Sequence, residues 1–230
     1  QIKVTRRPLP IHMPPLLFRD AVGRQTLAEK CHQLLSRGTR LQLFGRSGIG
    51  KTVLSSLVGN ATHQFPHGIA TIDMHYGTAE DVMQAMFDSF YEASLWQPTS
   101  HQIKQHLSEF SALFIIDNLE LSETDLHKIF SAAPKCVFLL VGERKTLFGY
   151  GKSVKLKGLD IDAGVTLFKR NVLKTISADD DPLISKIVMR LEGHPADILR
   201  AANLFENEET PLALILQRAN PATFAAFARS

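Results

Sequence analysis

One run, Gly45-Arg46-Ser47-Gly48-Ile49-Gly50-Lys51-Thr52, carries the spacing G-x-x-x-x-G-K-[S/T] in full. Each residue type in it has a chemical use. Glycines let the backbone curl so that successive N–H groups, with the end of a following helix, can cradle phosphate oxygens. Lys51 is long enough to reach β- and γ-phosphates, and the Thr52 hydroxyl can ligate Mg²⁺. The loop and its exit, Gly45, Ser47, Gly48, Ile49, Gly50, Lys51, Thr52 and Val53, are therefore the candidate cofactor-binding residues, with ADP or ATP and Mg²⁺ as the cofactors.

A second group is needed to complete that chemistry. Leu113-Phe114-Ile115-Ile116-Asp117 is an apolar run too short for a helix. It suits a central parallel strand buried on both faces, with an acid at the end where such sheets place ligands. Asp117 can hold Mg²⁺ through water near Thr52, which makes Thr52 and Asp117 the candidate metal residues. The position after Asp117 is Asn118, an amide that cannot take a proton, and Glu120 follows nearby. Turnover is therefore expected to be slow, or the base comes from outside this segment. Another buried strand, Cys136-Val137-Phe138-Leu139-Leu140-Val141, ends in Gly142-Glu143-Arg144. Arg144 is either a loop arginine in solvent or a γ-phosphate sensor. Lys51, Asp117 and Arg144 are the catalytic candidates.

The elements that must position these residues follow the hydrophobic pattern. Arg40 to Phe44 reads as a short strand before the loop, and Val53 to Val58 as the start of a helix after it. Four prolines, Pro8, Pro10, Pro14 and Pro15, make residues 1–19 an extended arm. A helix is predicted over Gln25–Ser36, a strand over Gly68–Asp73, and a helix over 79–93 whose buried face holds Val82, Met86, Phe87 and Phe90. Further helices are predicted over Ser100–Phe110 and Ser122–Phe130. Val154-Lys155-Leu156-Lys157 alternates as a last, edge strand. From Leu159 onward only helical patterns remain: one capped by Asp160, one over Leu183–Leu191, one starting at Gly193-His194-Pro195, and shorter ones over 210–217 and 221–228. This divides the chain into an arm (1–19), a nucleotide-binding α/β domain (20–158) and a helical domain (159–230), with the nucleotide held between the last two.

Composition narrows the function. A length of 230 residues suits one α/β domain plus an appendage, and 44% hydrophobic content supplies a core. No stretch is long and apolar enough to span a membrane. Cys31 and Cys136 stand far apart in no metal motif and point to a reducing compartment, the cytoplasm. A net charge of +3 does not demand nucleic acid. Because the chain starts at Gln1 rather than Met, it reads as a piece of a larger protein.

Five segments together resemble a known group: Val22-Gly23-Arg24, the Gly45–Thr52 loop, Leu113 to Glu120, Leu156-Lys157-Gly158-Leu159, and Gly193-His194-Pro195-Ala196. Their order is similar to that of the STAND class of P-loop ATPases, in its NB-ARC-like nucleotide-binding module. The resemblance implies a three-layer α/β/α domain with parallel strand order 5-1-4-3-2, then a small helical domain. It further implies ADP held in a closed state, exchange for ATP, self-association on activation, and effector and sensor domains elsewhere, through which any nucleic-acid contact would run. It places Val22, Gly23 and Arg24 near adenine and ribose, and Pro195 on the nucleotide from the helical domain. His194 stands where the family often has leucine, and can reach phosphate or face solvent. Arg144 falls one position later than the family's arginine.

Two readings follow. One is an ADP/ATP switch with slow hydrolysis. The alternative is an oligomeric ATPase or remodelling motor of the AAA+ kind, which needs a water-activating acid and an arginine from a neighbouring subunit. A DNA-binding module without enzymatic activity finds no basic helix cluster.

Overall fold

The computed structural model describes residues 5–6, 11–12, 21–60, 65–74, 77–92, 98–117, 121–207, 210–222 and 224. The four arm prolines, the segment Asn118-Leu119-Glu120 and most of the helix expected over 221–228 lie outside them. The strands in chain order are β1 (Thr5–Arg6), β2 (Ile11–His12), β3 (Leu41–Phe44), β4 (Ile69–Asp73), β5 (Tyr91–Glu92), β6 (Leu113–Asp117), β7 (Val137–Gly142) and β8 (Lys152–Lys155). The helices are α1 (Gln25–Ser36), α2 (Lys51–Asn60), α3 (Ala79–Asp88), α4 (Ser100–Leu107), α5 (Glu123–Ala132), α6 (Ile161–Arg170), α7 (Asp181–Arg190), α8 (Pro195–Asn207) and α9 (Leu212–Arg218).

The described residues fall into two compact units. One lies within 1–16, 27–45 and 51–155, the other within 17–26, 46–50 and 156–230. The tip of the glycine loop and the Val22-Gly23-Arg24 segment thus group with the helices that follow residue 156.

In the first unit six strands form a parallel sheet in the order β2-β4-β6-β7-β3-β8. Counted from the strand before the loop, β3, β4, β6, β7 and β8 are the first to fifth. Their order is the 5-1-4-3-2 of the resemblance, with β2 added at the far edge. The central strands β6 and β7 are buried along their whole length, as continuous apolar runs require. The period of two sorts their side chains. Phe114, Ile116, Phe138 and Leu140 join α3, α4 and α5 in one core with Phe87, Phe90 and Phe130. Residues at the alternate positions turn to the opposite face, where α2 packs on β3, β6 and β7.

Two boundaries differ from the sequence reading for one reason. The helix expected over 79–93 stops at Asp88, because Tyr91 and Glu92 pair antiparallel with Arg6 and Thr5. The edge strand expected over 154–157 lies at Lys152–Lys155 instead, where the Lys152 N–H donates to the Arg40 carbonyl at 2.9 Å. In both cases a distant partner sets the end of the element, and a local pattern contains no such information.

The second unit buries Val22, Leu167, Phe168, Ile184, Ile187, Val188 and Ile198 in one core. Asp160 caps α6 by accepting from the Ala163 N–H at 2.7 Å. At the end of α7, Glu192 (φ 53°) and Gly193 (φ 65°) both take left-handed backbone. A Cβ on Gly193 would stand 2.0 Å from the Leu159 carbonyl oxygen, which excludes any larger residue without movement.

Gly193→Ala is expected to cost ~2 kcal/mol or more through backbone strain and this clash. A thermal melt should show it as a fall of roughly 4–8 °C. Burial pushes the thiols of Cys31 and Cys136 up to about 11. Near pH 8 both should resist alkylation in the native protein and react once it is unfolded, as mass spectrometry of the labelled chain would record.

Candidate functional site

The loop is built by its neighbours in the sheet and the helices, each within its own unit. In the sheet unit, β3 delivers Gly45, whose N–H donates to the Gly142 carbonyl at the end of β7 (3.3 Å). Helix α2 opens at Lys51. The Lys51 ammonium donates to the Gly45 carbonyl at 2.8 Å, closing the loop's two ends. Burial lowers the Lys51 pKa, and the carboxylates of Glu143 and Asp117 oppose that shift. The Thr52 hydroxyl donates to Asp117 Oδ2 at 2.9 Å. Asp117, only 8% exposed, ends β6. Thr52 and Asp117, expected to share a metal, are thus in direct contact.

The tip of the loop, within the helical unit, shows an ordered set of acceptors. The Arg46 carbonyl takes the Ile49 N–H at 3.3 Å, and the Gly48 carbonyl takes the Ala196 N–H at 3.2 Å. The Ser47 carbonyl lies 2.9 Å from His194 Nε2, and the Ile49 carbonyl takes an Arg24 Nη2–H at 3.0 Å. Since a carbonyl only accepts, the His194 proton that serves Ser47 sits on Nε2. With the bond from Lys51, every carbonyl from Gly45 to Ile49 has a donor. The N–H groups of Gly48 and Gly50 donate to no described residue. Backbone acceptors are fastened while donors remain, the balance an anion site needs.

Three side chains of the helical unit carry this arrangement. Arg24 is 7% exposed and also donates to the Lys157 carbonyl at 2.8 Å. Burial lowers its pKa, with Asp160 opposing. His194 is 6% exposed, and its Nδ1 lies 2.7 Å from Asp197 Oδ2 without the alignment of a hydrogen bond. Asp197, itself buried, also takes Arg200 Nη1. Gly48 admits this packing, since a Cβ there would stand 2.7 Å from the Ala196 Cβ and 3.0 Å from His194 Cε1. The exposed pair Arg46–Glu192 (3.1 Å) adds little.

The other expected residues take mixed places. Ser47 is exposed and Ile49 buried on the loop, and Val53 is half-buried in the first turn of α2. Val22 lies in the apolar core of the helical unit, and Gly23 is held against Ala163 of α6. Pro195 stands at the start of α8, its Cγ 4.0 Å from where a Gly50 Cβ would be. His194 meets a loop carbonyl rather than solvent. Arg144 is exposed, and its carbonyl accepts from Gln42 Nε2 at 2.9 Å. Gln42 is a positioning residue that pattern reading passed over. Buried in β3, it also bonds Thr146 Oγ1 and accepts from the Thr146 and Leu147 N–H groups, pinning the segment after β7. A lone amide inside Leu-Gln-Leu-Phe was its signal. Among the described residues no three His, Cys, Asp or Glu side chains gather as a metal cage. A threonine and a carboxylate suit Mg²⁺, which keeps much of its water and takes few protein ligands.

No family model matches the chain. A segment of 67 residues, 26% of the chain, is 42% identical to ATP synthase subunit beta 1 of Dinoroseobacter shibae and spans 14% of that subunit's length. Among solved structures, a Walker-type ATPase of Pyrococcus abyssi superposes with TM-score 0.57 at 16% identity, over 85% of this chain and 70% of that one. The RuvB Holliday junction branch migration motor of Thermotoga maritima superposes with TM-score 0.52 at 18% identity, over 94% of this chain and 72% of that one. The fold is that of an α/β/α P-loop NTPase with a parallel sheet and a following helical region. Among the described residues no helix is long and apolar enough to cross a membrane.

Arg24→Ala would leave the Ile49 and Lys157 carbonyls unpaired in a buried setting. The expected loss is about 2–4 kcal/mol, read as a lower midpoint in urea denaturation.

Proposed function

We propose that this chain is a Mg²⁺-dependent ATP-binding module that hydrolyses ATP, and that it works in an oligomeric ATPase of the AAA+ kind. The observation that carries the reading is the loop itself: carbonyls from Gly45 to Ile49 all supplied with donors, and Thr52 bonded to Asp117 at 2.9 Å. Phosphates would take the loop N–H groups and draw the Lys51 ammonium away from the Gly45 carbonyl. Bound Mg²⁺ would supply charge neutralisation at the β- and γ-oxygens. Thr52 would ligate it and Asp117 would hold its water. Arg144 lies two residues past the end of β7, whose Gly142 carbonyl holds Gly45, and is proposed as the γ-phosphate contact. Val22 and Gly23 are proposed to border the base and ribose, and Pro195 to contact the nucleotide. Likeness to a Walker-type ATPase and to a branch migration motor supports the oligomeric reading and self-association.

A second reading, the ADP/ATP switch of the STAND and NB-ARC-like class, is favoured by one observation. His194, Ala196 and Arg24 of the helical unit each hold a loop carbonyl, so a change at the phosphates would be felt by α8. In that reading ADP is the resting ligand and the controlled effector lies outside this chain. The cytoplasm is the proposed location for either.

Lys51→Ala should weaken ATP binding by about tenfold or more in calorimetry; unchanged affinity would remove the loop assignment. Turnover measured against protein concentration separates the two readings. Specific activity that rises with self-association in ultracentrifugation supports the motor. A monomer that co-purifies with ADP and turns over slowly supports the switch.

A further inference from the structure

Next to the Thr52–Asp117 contact lies a cavity of about 90 Å³, wholly within the sheet unit, lined by Thr52, Ser55, Ser56, Thr71, Asp73, Ile115 and Asp117. Its walls follow from strand register. Thr71 and Asp73 lie two apart on β4 and share a face, as do Ile115 and Asp117 on β6. The ladder pairs Thr71 with Ile115 and Asp73 with Asp117. The Met74 N–H donates to the Asp117 carbonyl at 3.0 Å, which carries the pairing past the strand ends and fixes Asp73 beside Asp117. Neighbouring strands stand ~4.8 Å apart, so two carboxylates border one small space.

One polar group on the cavity wall lacks a partner: the Thr71 hydroxyl is fully covered and finds no hydrogen-bond partner among the described residues. The Ser55 hydroxyl is spent on the Thr52 carbonyl at 3.0 Å. A cavity of about 90 Å³ has room for water, and buried water goes where polar groups lack partners. Asp73 and Thr52 are exposed, while Asp117 is buried.

We infer that Asp73 is a second carboxylate of the metal's hydration site, accepting hydrogen bonds from metal-bound water beside Asp117. This deepens, and rests on, the phosphate-loop reading above. Mg²⁺ parts reluctantly with its water and is commonly held through one or two carboxylates. Here Thr52 would ligate the ion when it is bound. Asp117 and Asp73 would face the water it keeps, with the Thr71 hydroxyl on the wall of the same cavity. Groups that orient a metal's outer shell commonly matter to affinity by one to two orders of magnitude.

The test measures ATP affinity of the whole chain by calorimetry, with Mg²⁺ and again with EDTA, for wild type, Asp73→Asn, Asp73→Ala and, as a charge control on α3, Glu80→Gln. Release of Mn²⁺ from the ATP complex, followed by electron paramagnetic resonance, gives a second readout independent of turnover. The inference expects the gain in affinity conferred by Mg²⁺ to shrink about tenfold or more in both Asp73 variants and not in Glu80→Gln, with affinity in EDTA unchanged. Asp73→Asn keeps the side chain's shape and stands in should the alanine variant fail to fold. An unchanged Mg²⁺ gain in folded Asp73→Asn and unchanged Mn²⁺ retention overturn it. So does an unchanged gain accompanied by lost hydrolysis, which would assign Asp73 to the attacking water. Wild-type protein that binds no ATP, or binds it equally in EDTA, overturns the loop reading and this inference with it.

Discussion

A peptide backbone carries as many acceptors as donors, so a loop that is to receive an anion must dispose of its carbonyls first. Residues 45–49 do this completely, and much else in the molecule is arranged to supply the donors. Lys51 closes the loop on itself, while Arg24, His194 and Ala196 hold its tip. Without them the carbonyls would present negative partial charge where phosphate oxygens are expected, and the loop would repel the ligand its sequence announces. Three segments far apart in the chain, Val22-Gly23-Arg24, Gly45–Thr52 and Gly193-His194-Pro195-Ala196, are bound together by this one requirement.

That requirement also explains the tight glycines. Gly48 is small because α8 presses against it, and Gly193 is small because the Leu159 carbonyl occupies the place of its side chain. Gly48 is pressed by side chains and Gly193 by backbone, and both lie beside groups that serve the loop. Arg24 illustrates the cost of the design. A guanidinium that is nearly buried is held by carbonyl acceptors, with Asp160 offering the opposing charge.

The sheet unit meets a different constraint. Strand register sets Asp117 under Thr52 and Asp73 beside Asp117, so the geometry of the acidic edge is decided by ladder pairing rather than by the loop. Gln42 does the same for the segment after β7, using a buried amide to fix the backbone that leads from Glu143 to Leu147. The resemblance to solved P-loop structures covers this sheet and its following helices. It accounts for the fold and is silent on the acid at Asp73.

The sequence by itself determined the loop, the buried strands ending in Asp117 and Gly142, the strand order through its likeness to P-loop ATPases, and the change to all-helical pattern after Leu159. These features rest on local spacing, on apolar runs of the right length and on residue types with few alternative uses. Only the tertiary structure decided the rest. It moved the end of α3 and the position of β8, because distant strands claim those residues. It turned Arg24 into a donor to the Ile49 carbonyl of the loop, and it brought His194 to Ser47 rather than to solvent. It set Asp73 next to Asp117 across forty-odd residues of chain. A side chain's partner across such separations follows from packing and register, which no window of neighbouring residues encodes.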